Sequence, residues 1–304
     1  MQSVPTSFAR DLPETTRMET LRYGSDTSAP PIVSIIVPTL DRARGGILDD
    51  LLQDLHDQVM TSFELILVIG DRRQGRAINR GVAAAQADII VTMDDDTKIG
   101  TPHLLQNLVD VLRQEPDVGI VGASTVVPPD CSWWQRTASR QIPRRLFPVV
   151  DEITDSDMVQ HPCLAMRRDV FLEIGGEDEE LIRGLDPSLR HRAKAAGYRV
   201  VIAPHTYICH LLPEGVRDVI RMYYRNGRGS AFAQRHYPDR IYNLSDGFQR
   251  NQFPEKVRFR ERVASYPRRM LGSLLRLRLI KFAVEVAYTV GFLREYLRPT
   301  PARG

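Results

Sequence analysis

Cysteine is scarce. Cys131, Cys163 and Cys209 are the only three in 304 residues, an odd number at irregular spacing. That excludes a disulfide framework and suits a reducing, cytoplasmic compartment. Long apolar runs are missing too. No 18-residue apolar stretch occurs, so no transmembrane helix is predicted; the nearest candidate, Met270 to Leu293, is interrupted by Arg276, Arg278, Lys281 and Glu285. Residues 1–30 are polar, lack the apolar segment of a signal peptide, and read as a mobile leader. Net charge is small overall, at +3, but unevenly placed: residues 255–304 carry 12 Lys and Arg against 4 Asp and Glu. The basic tail points to an anionic surface, such as the cytoplasmic face of a membrane held peripherally. Nucleic acid is not the expected partner, because no RNA-module signature, zinc finger or aromatic-interleaved basic sheet accompanies the charge.

What is present is an ordinary globular chain, 42% hydrophobic and 26% charged. Apolar runs at Ile32–Val37, Phe63–Ile69, Ile89–Met93 and Val118–Val121 read as buried strands. Helical stretches lie between them: Ile47–Gln58 with Leu48, Leu51, Leu52 and Leu55 at helical spacing, residues 75–86, and a segment from Thr101-Pro102 to about Gln114. Strands alternating with helices imply right-handed crossovers and a mainly parallel, Rossmann-like α/β sheet. Residues 123–160, with Trp133-Trp134, several prolines and arginines, read as a long loop or loosely helical excursion. Regularity returns with a strand at Cys163–Arg167, a helix at 187–196 and a strand at Tyr198–Ala203; beyond His210 the chain reads as helical over 213–235 and 255–297.

Ligands of parallel sheets bind at the carboxyl ends of the strands, where Asp71 and the triplet Asp94-Asp95-Asp96 are predicted to sit. Three adjacent carboxylates repel one another, and a divalent cation, Mn or Mg, relieves that repulsion when a nucleoside diphosphate completes its shell; the plain alternative is a solvated acidic turn. A haloacid-dehalogenase-like phosphatase would want Thr or Val where Lys98 stands, and a nucleotidyltransferase would want a Gly-rich loop where Pro38-Thr39-Leu40-Asp41-Arg42 stands. Asp186, followed by Pro-Ser-Leu, is a good helix N-cap. Arg225 and Arg228 sit in the glycine-flanked stretch Tyr224-Arg225-Asn226-Gly227-Arg228-Gly229, which is either a diphosphate clamp or a solvated helix end. Trp133 and Trp134 are either a sugar-stacking platform or packing. His205, Cys209 and His210 with Cys163 do not follow a zinc-site spacing.

Over residues 32–210 the sequence resembles the inverting glycosyltransferases of family two, which have the GT-A fold. The likeness rests on motifs in order: Pro38, Thr39, Asp41 and Arg42 after the first strand; Gly70-Asp71 after the second; Ala77-Ile78-Asn79-Arg80-Gly81; Asp94-Asp95-Asp96; Arg167-Arg168 through Gly175-Gly176; Gly184-Leu185-Asp186 with Leu189 and Arg192; and Ala196-Gly197-Tyr198, Pro204 and His210. The resemblance implies a nucleotide-sugar donor held by Thr39, Asp41, Asp71, Asn79, Asp94 and Asp95; Arg228, beyond the resembling span, is added as a donor clamp from its own basic stretch. It implies a metal on Asp96 and His210, and Asp186 as the base toward a glycan or lipid-linked acceptor. The corresponding domains are a leader over 1–30, a GT-A catalytic domain over 31–210 and a basic helical extension over 211–304. The chain departs from the pattern at Gly70 and Leu185, each replacing an acid, and at Glu177, replacing an aromatic. Those losses leave a rival expectation, a membrane-associated scaffold whose catalysis has lapsed.

Overall fold

The computed structural model describes residues 16–24, 28–43, 46–142, 146–210, 212–242 and 259–298. Its first half runs β1 (Arg17–Tyr23), β2 (Val33–Thr39), α1 (Ile47–His56), β3 (Phe63–Ile69), α2 (Gln74–Ala84), β4 (Ile89–Met93), β5 (Lys98–Ile99), α3 (Leu104–Gln114) and β6 (Val118–Val126). It continues with α4 (Trp133–Gln141), β7 (Thr154–Asp155), β8 (Cys163–Arg167), α5 (Arg168–Glu173), α6 (Leu185–Ala195), β9 (Arg199–Cys209), α7 (Val216–His236), α8 (Phe259–Leu275) and α9 (Leu279–Tyr296).

Side-chain alternation divides the strands between two cores. Val33, Ile35 and Val37 of β2 and Phe63, Leu65 and Leu67 of β3 face α1 and α3, joined by Leu48, Leu51, Leu105 and Leu108. Ile36, Ile66 and Val68 face the other way, against Ala77, Ile78 and Val82 of α2 and Leu189 of α6. Among the described residues the result is one nine-stranded sheet between helical layers, ordered β1-β3-β2-β4-β8-β6-β9-β5 with β7 on β9. β2, β3 and β4 pair in parallel, as the crossover pattern predicts. β8 is inserted antiparallel to both of its neighbours, β4 and β6.

Three segments differ from the sequence reading. Part of the expected leader is an edge strand: β1 pairs antiparallel with β3, Tyr23 stacks on Phe63 at 4.5 Å, and Arg22 reaches the buried Glu64 at 3.4 Å. Residues 1–15 of that leader lie outside the described residues. The 123–160 excursion is more ordered than expected, since β6 runs on to Val126 and α4 starts with a Ser132–Gln135 capping box.

The predicted helix over 255–297 is two helices, of which residues 255–258 lie outside the described residues. α8 and α9 form an antiparallel hairpin in which Phe259 stacks on Tyr296 at 4.7 Å and Ser273 bonds Glu285 at 2.8 Å. The hairpin is clasped to α7 at two glycines. A Cβ on Gly227 would stand 2.0 Å from the Tyr288 carbonyl oxygen, and one on Gly291 2.2 Å from that of Tyr224, so α7 and α9 touch backbone to backbone. Among the described residues, no helix is long and apolar enough to cross a membrane.

Candidate active site

β4 delivers the aspartate triplet at its carboxyl end, and the three side chains part company there. Asp95 is buried and accepts a 2.6 Å hydrogen bond from the Thr39 hydroxyl at the end of β2. Asp94 and Asp96 turn the other way, and together with His210, at the end of β9, bring ligand atoms within 4.8 Å of one another. His210 Nε2 lies 3.2 Å from Asp96 Oδ1. The Gln74 amide, in the first turn of α2, donates to Asp94 Oδ1 at 2.8 Å. Burial pushes the Asp94 carboxyl up to about 6, and the charge of Asp96 adds to the shift while His210 opposes it.

Two carboxylates and one imidazole can coordinate a divalent cation, and the buried Asp94 carboxyl, raised first by its burial and further by the charge of Asp96, would gain from one. The residues therefore fit a divalent cation. Asp96 and His210, both expected ligands, lie together, and Asp94 joins them, while Asp95 bonds Thr39.

Beside this cluster stands a group the sequence reading missed. His161 is buried between two carboxylates: its Nδ1 lies 2.5 Å from Asp186 Oδ1 and its Nε2 2.8 Å from Glu177 Oε1. The His161 backbone N–H also donates to Asp186 Oδ1, at 2.8 Å. Burial alone would drive the proton off His161, but Asp186 and Glu177 outweigh it and hold the imidazole charged well above its usual range. Burial would likewise raise Asp186, yet the charge and hydrogen bonds of His161, with help from Arg190, hold it below the usual carboxylate range. Asp186 is not a helix cap. α6 begins on Gly184, at φ 91° and without a side-chain cap bond, so Asp186 lies inside the first turn and bonds His161 instead of the helix amides. The charges of His161 and Asp186 both act on Asp94, which makes the pair and the acidic cluster neighbours.

The topology explains why His161 escaped notice. Parallel strands present their ligands at carboxyl ends, but β8 runs antiparallel to β4, so its amino end lies at the edge that carries Asp94. Cys163 pairs with Met93, the residue before Asp94, and His161 precedes it by two.

Several predicted donor contacts are occupied within the fold. Asn79 donates to the Glu177 carbonyl at 2.9 Å and accepts the Glu177 N–H at 2.7 Å, tying α2 to the 177–179 loop. Asp71 holds Arg76 through both oxygens, at 2.7 and 2.8 Å, and accepts the Arg73 N–H. Asp41, exposed, accepts the Ala43 N–H at 3.0 Å. Arg228, the expected diphosphate clamp, pairs with Glu295 of α9 at 2.7 Å, in a mid-helix stretch where Gly227 serves the contact with α9. Trp134 is half-buried with its indole N–H toward the Pro213 carbonyl, whereas Trp133 is 77% exposed.

The two lost acids also have structural reasons. Gly70 leaves β3 at φ 90°, a left-handed conformation that glycine adopts without strain. Leu185 is buried with Leu181, Ala233 and Ile241, anchoring α7 onto the first turn of α6.

Comparison with known proteins follows the same lines. The sequence model of the family described as "Glycosyltransferase like family 2" matches residues 30–229. A glucosyl-dolichyl phosphate glucuronosyltransferase of Haloferax volcanii is 26% identical over 205 residues, covering 60% of this chain and 64% of that protein. The uncharacterized protein y4gI of Sinorhizobium fredii is 24% identical over 287 residues, covering 73% of this chain and 30% of its own length. The chain thus spans less than two thirds of either curated relative. Among solved structures, a mannosyltransferase from Pyrobaculum calidifontis, in complex with GDP-Man and Mn2+, superposes with a TM-score of 0.53 at 16% identity, over 95% of this chain and 92% of that one. At that identity the likeness concerns the fold.

Proposed function

Since the chain belongs to Glycosyltransferase like family 2, we propose that it transfers a sugar from a nucleoside-diphosphate donor to an acceptor hydroxyl, with a divalent metal and with inversion. The observation that carries the proposal is the convergence of Asp94, Asp96 and His210 within 4.8 Å at the carboxyl edge of the sheet, beside the His161–Asp186 pair. Asp94, Asp96 and His210 would hold the metal, which when bound supplies positive charge to the departing diphosphate.

Asp186 is the base of this reading. Both bonds from His161 fall on Oδ1, so Oδ2 is the oxygen assigned to the acceptor. The acceptor oxygen attacks the anomeric carbon, the bond from that carbon to the diphosphate oxygen breaks, and the leaving group keeps the electron pair. The hydroxyl grows acidic as its new bond forms, so a carboxylate of depressed pKa suffices to take the proton late in the displacement. His161 and Glu177 position that carboxylate: a charged imidazole bonded at both nitrogens fixes the rotamer of Asp186 and keeps it ionised. On this reading Glu177 supplies, through His161, an acid in place of the one missing at Leu185. The acidic site speaks against the lapsed scaffold. The likeness to a dolichyl-phosphate enzyme supports a lipid-linked acceptor as the first to try.

Isothermal titration with GDP, UDP and their sugars, with and without Mn2+, tests the assignment. Binding that needs the metal is expected for one nucleotide series, and the reading fails if no nucleotide binds or if Mn2+ makes no difference. A pH dependence follows from Asp94. Protons and metal compete for a carboxylate held at about 6, so Mn2+ affinity should be about tenfold weaker near pH 5 than near pH 7.5. In the metal-free protein the linkage runs the opposite way with pH: a raised folded-state value contributes stability below the unfolded value of 3.8 and loses it as pH rises through about 6. Metal should therefore raise the melting temperature more at neutral than at acid pH.

A further inference from the structure

The turn of the α8–α9 hairpin concentrates features that packing does not explain. Leu275, Leu277 and Leu279 are 75%, 80% and 61% exposed, and Leu271 is 57% exposed. Leu277 also has a positive φ of 53°. Its N–H bonds the Leu274 carbonyl while the Arg278 N–H bonds that of Ser273, the pattern of a Schellman helix end in which this position normally belongs to glycine. The chain thus places a branched apolar side chain in a strained conformation and leaves it in water, a combination that disfavours the free protein twice over.

The charge beside these leucines has one sign. Arg268, Arg269, Arg276, Arg278 and Lys281 line a hollow of about 480 Å³ between the two helices. Glu285, buried beneath it, accepts from Ser273 and lies 3.4 Å from Arg269. On a single continuous helix, Arg278 and Lys281 would fall opposite Arg269 and Arg276, and the segment would not be amphipathic. The Leu277 turn reverses the chain and brings all five cations to one hollow, with the leucines beside it.

We propose that this hairpin tip docks on an anionic lipid bilayer, the leucines entering the interfacial region and the cationic hollow receiving lipid phosphates. The occupant follows from the chemistry. Apolar side chains rimmed by guanidinium groups match an interface that is apolar inside and phosphate-coated outside, and among the described residues no helix is long and apolar enough to cross it. The inference stands apart from the catalytic reading, since none of these residues belongs to the site at the sheet edge.

Full-length protein should cosediment with vesicles of phosphatidylcholine mixed equally with phosphatidylglycerol, and far less with phosphatidylcholine alone. Raising the salt should release it, because screening shortens the reach of the surface charge. Each basic residue is worth about fivefold in membrane affinity, so Arg276→Gln with Arg278→Gln should lose about 25-fold. Leu275→Ser with Leu277→Gly should lose at least about tenfold, the worth of one buried leucine. Leu277→Gly by itself relieves the backbone, so it should keep or raise the melting temperature while lowering vesicle binding; a structural role for Leu277 would lower both. Equal recovery on the two lipids, or full binding by both double variants, overturns the proposal. So does a change in oligomeric mass of the variants with lipid binding intact, which would make the tip a contact between copies of the chain.

Discussion

Asp186→Asn should lower sugar transfer by about 10²- to 10⁴-fold, the usual worth of a general base, while metal and donor still bind. The substitution keeps the shape of the side chain and its acceptor oxygen, so His161 retains a partner and α6, which Asp186 does not cap, should remain intact. His161→Gln separates positioning from chemistry. It removes the charge and one of the two anchored ends of the bridge to Glu177. Asp186, released from the group that holds it down, then titrates nearer its ordinary value. The acid limb of the pH–rate profile should accordingly move to higher pH, and kcat should fall with little change in donor KM. A purely structural histidine would lower the melting temperature and leave the limb where it was. Full turnover by Asp186→Asn would move the base elsewhere, with Glu179 and Asp178 as neighbours to test.

Asp96→Asn should weaken metal-supported donor binding by about 10²-fold or more, given that even groups behind a metal's direct ligands are worth 10- to 100-fold. The metal-free protein should keep its melting temperature or gain slightly, because a like charge beside the crowded Asp94 is gone. Asp95→Asn is the internal contrast. Its carboxylate accepts the Thr39 hydroxyl in a buried pair, so its replacement should disturb the junction of β2 and β4 and lower the melting temperature. Titration calorimetry alongside thermal unfolding reads both outcomes. Equal metal dependence in the Asp96 variant and the parent would remove Asp96 from the metal shell.

The parallel centre of the fold was legible because β2, β3 and β4 are buried on both faces and therefore read as mainly apolar runs, broken only by residues such as Ser34, Glu64 and Thr92. The same logic set Asp94–Asp96 and Asp71 at a functional edge. It failed where the sequence carries its information in partners. β1 reads Arg-Met-Glu-Thr-Leu-Arg-Tyr, polar enough for a leader, and becomes a strand because Tyr23 and Arg22 find Phe63 and Glu64. His161 was invisible to a rule about carboxyl ends, because β8 reverses direction. Glu177 stands out in the sequence as a lost aromatic and a fallback candidate for the base; its contact with His161 at 2.8 Å is visible only in the fold. Arg228 read either as a diphosphate clamp or as a solvated helix end; its partner Glu295 and the backbone contact of Gly227 with α9 depend on a helix far away in sequence. The break at Leu277 had no glycine to announce it.

The glycine clasp between α7 and α9 has a bearing on how the molecule can be divided. A boundary at residue 210 looks natural from composition, since charge changes sign in the tail beyond it. Yet Leu185, in the turn that carries Asp186, packs under Ala233 of α7, and α7 in turn lies bare against α9 at Gly227. Cutting off the last two helices would leave a bare backbone notch at Gly227 and strip cover from Ala231, which is wholly buried with Phe292. Such a fragment would be sticky rather than minimal, and its proneness to aggregate would say nothing about lipid. Single-residue changes at the hairpin tip leave the clasp whole.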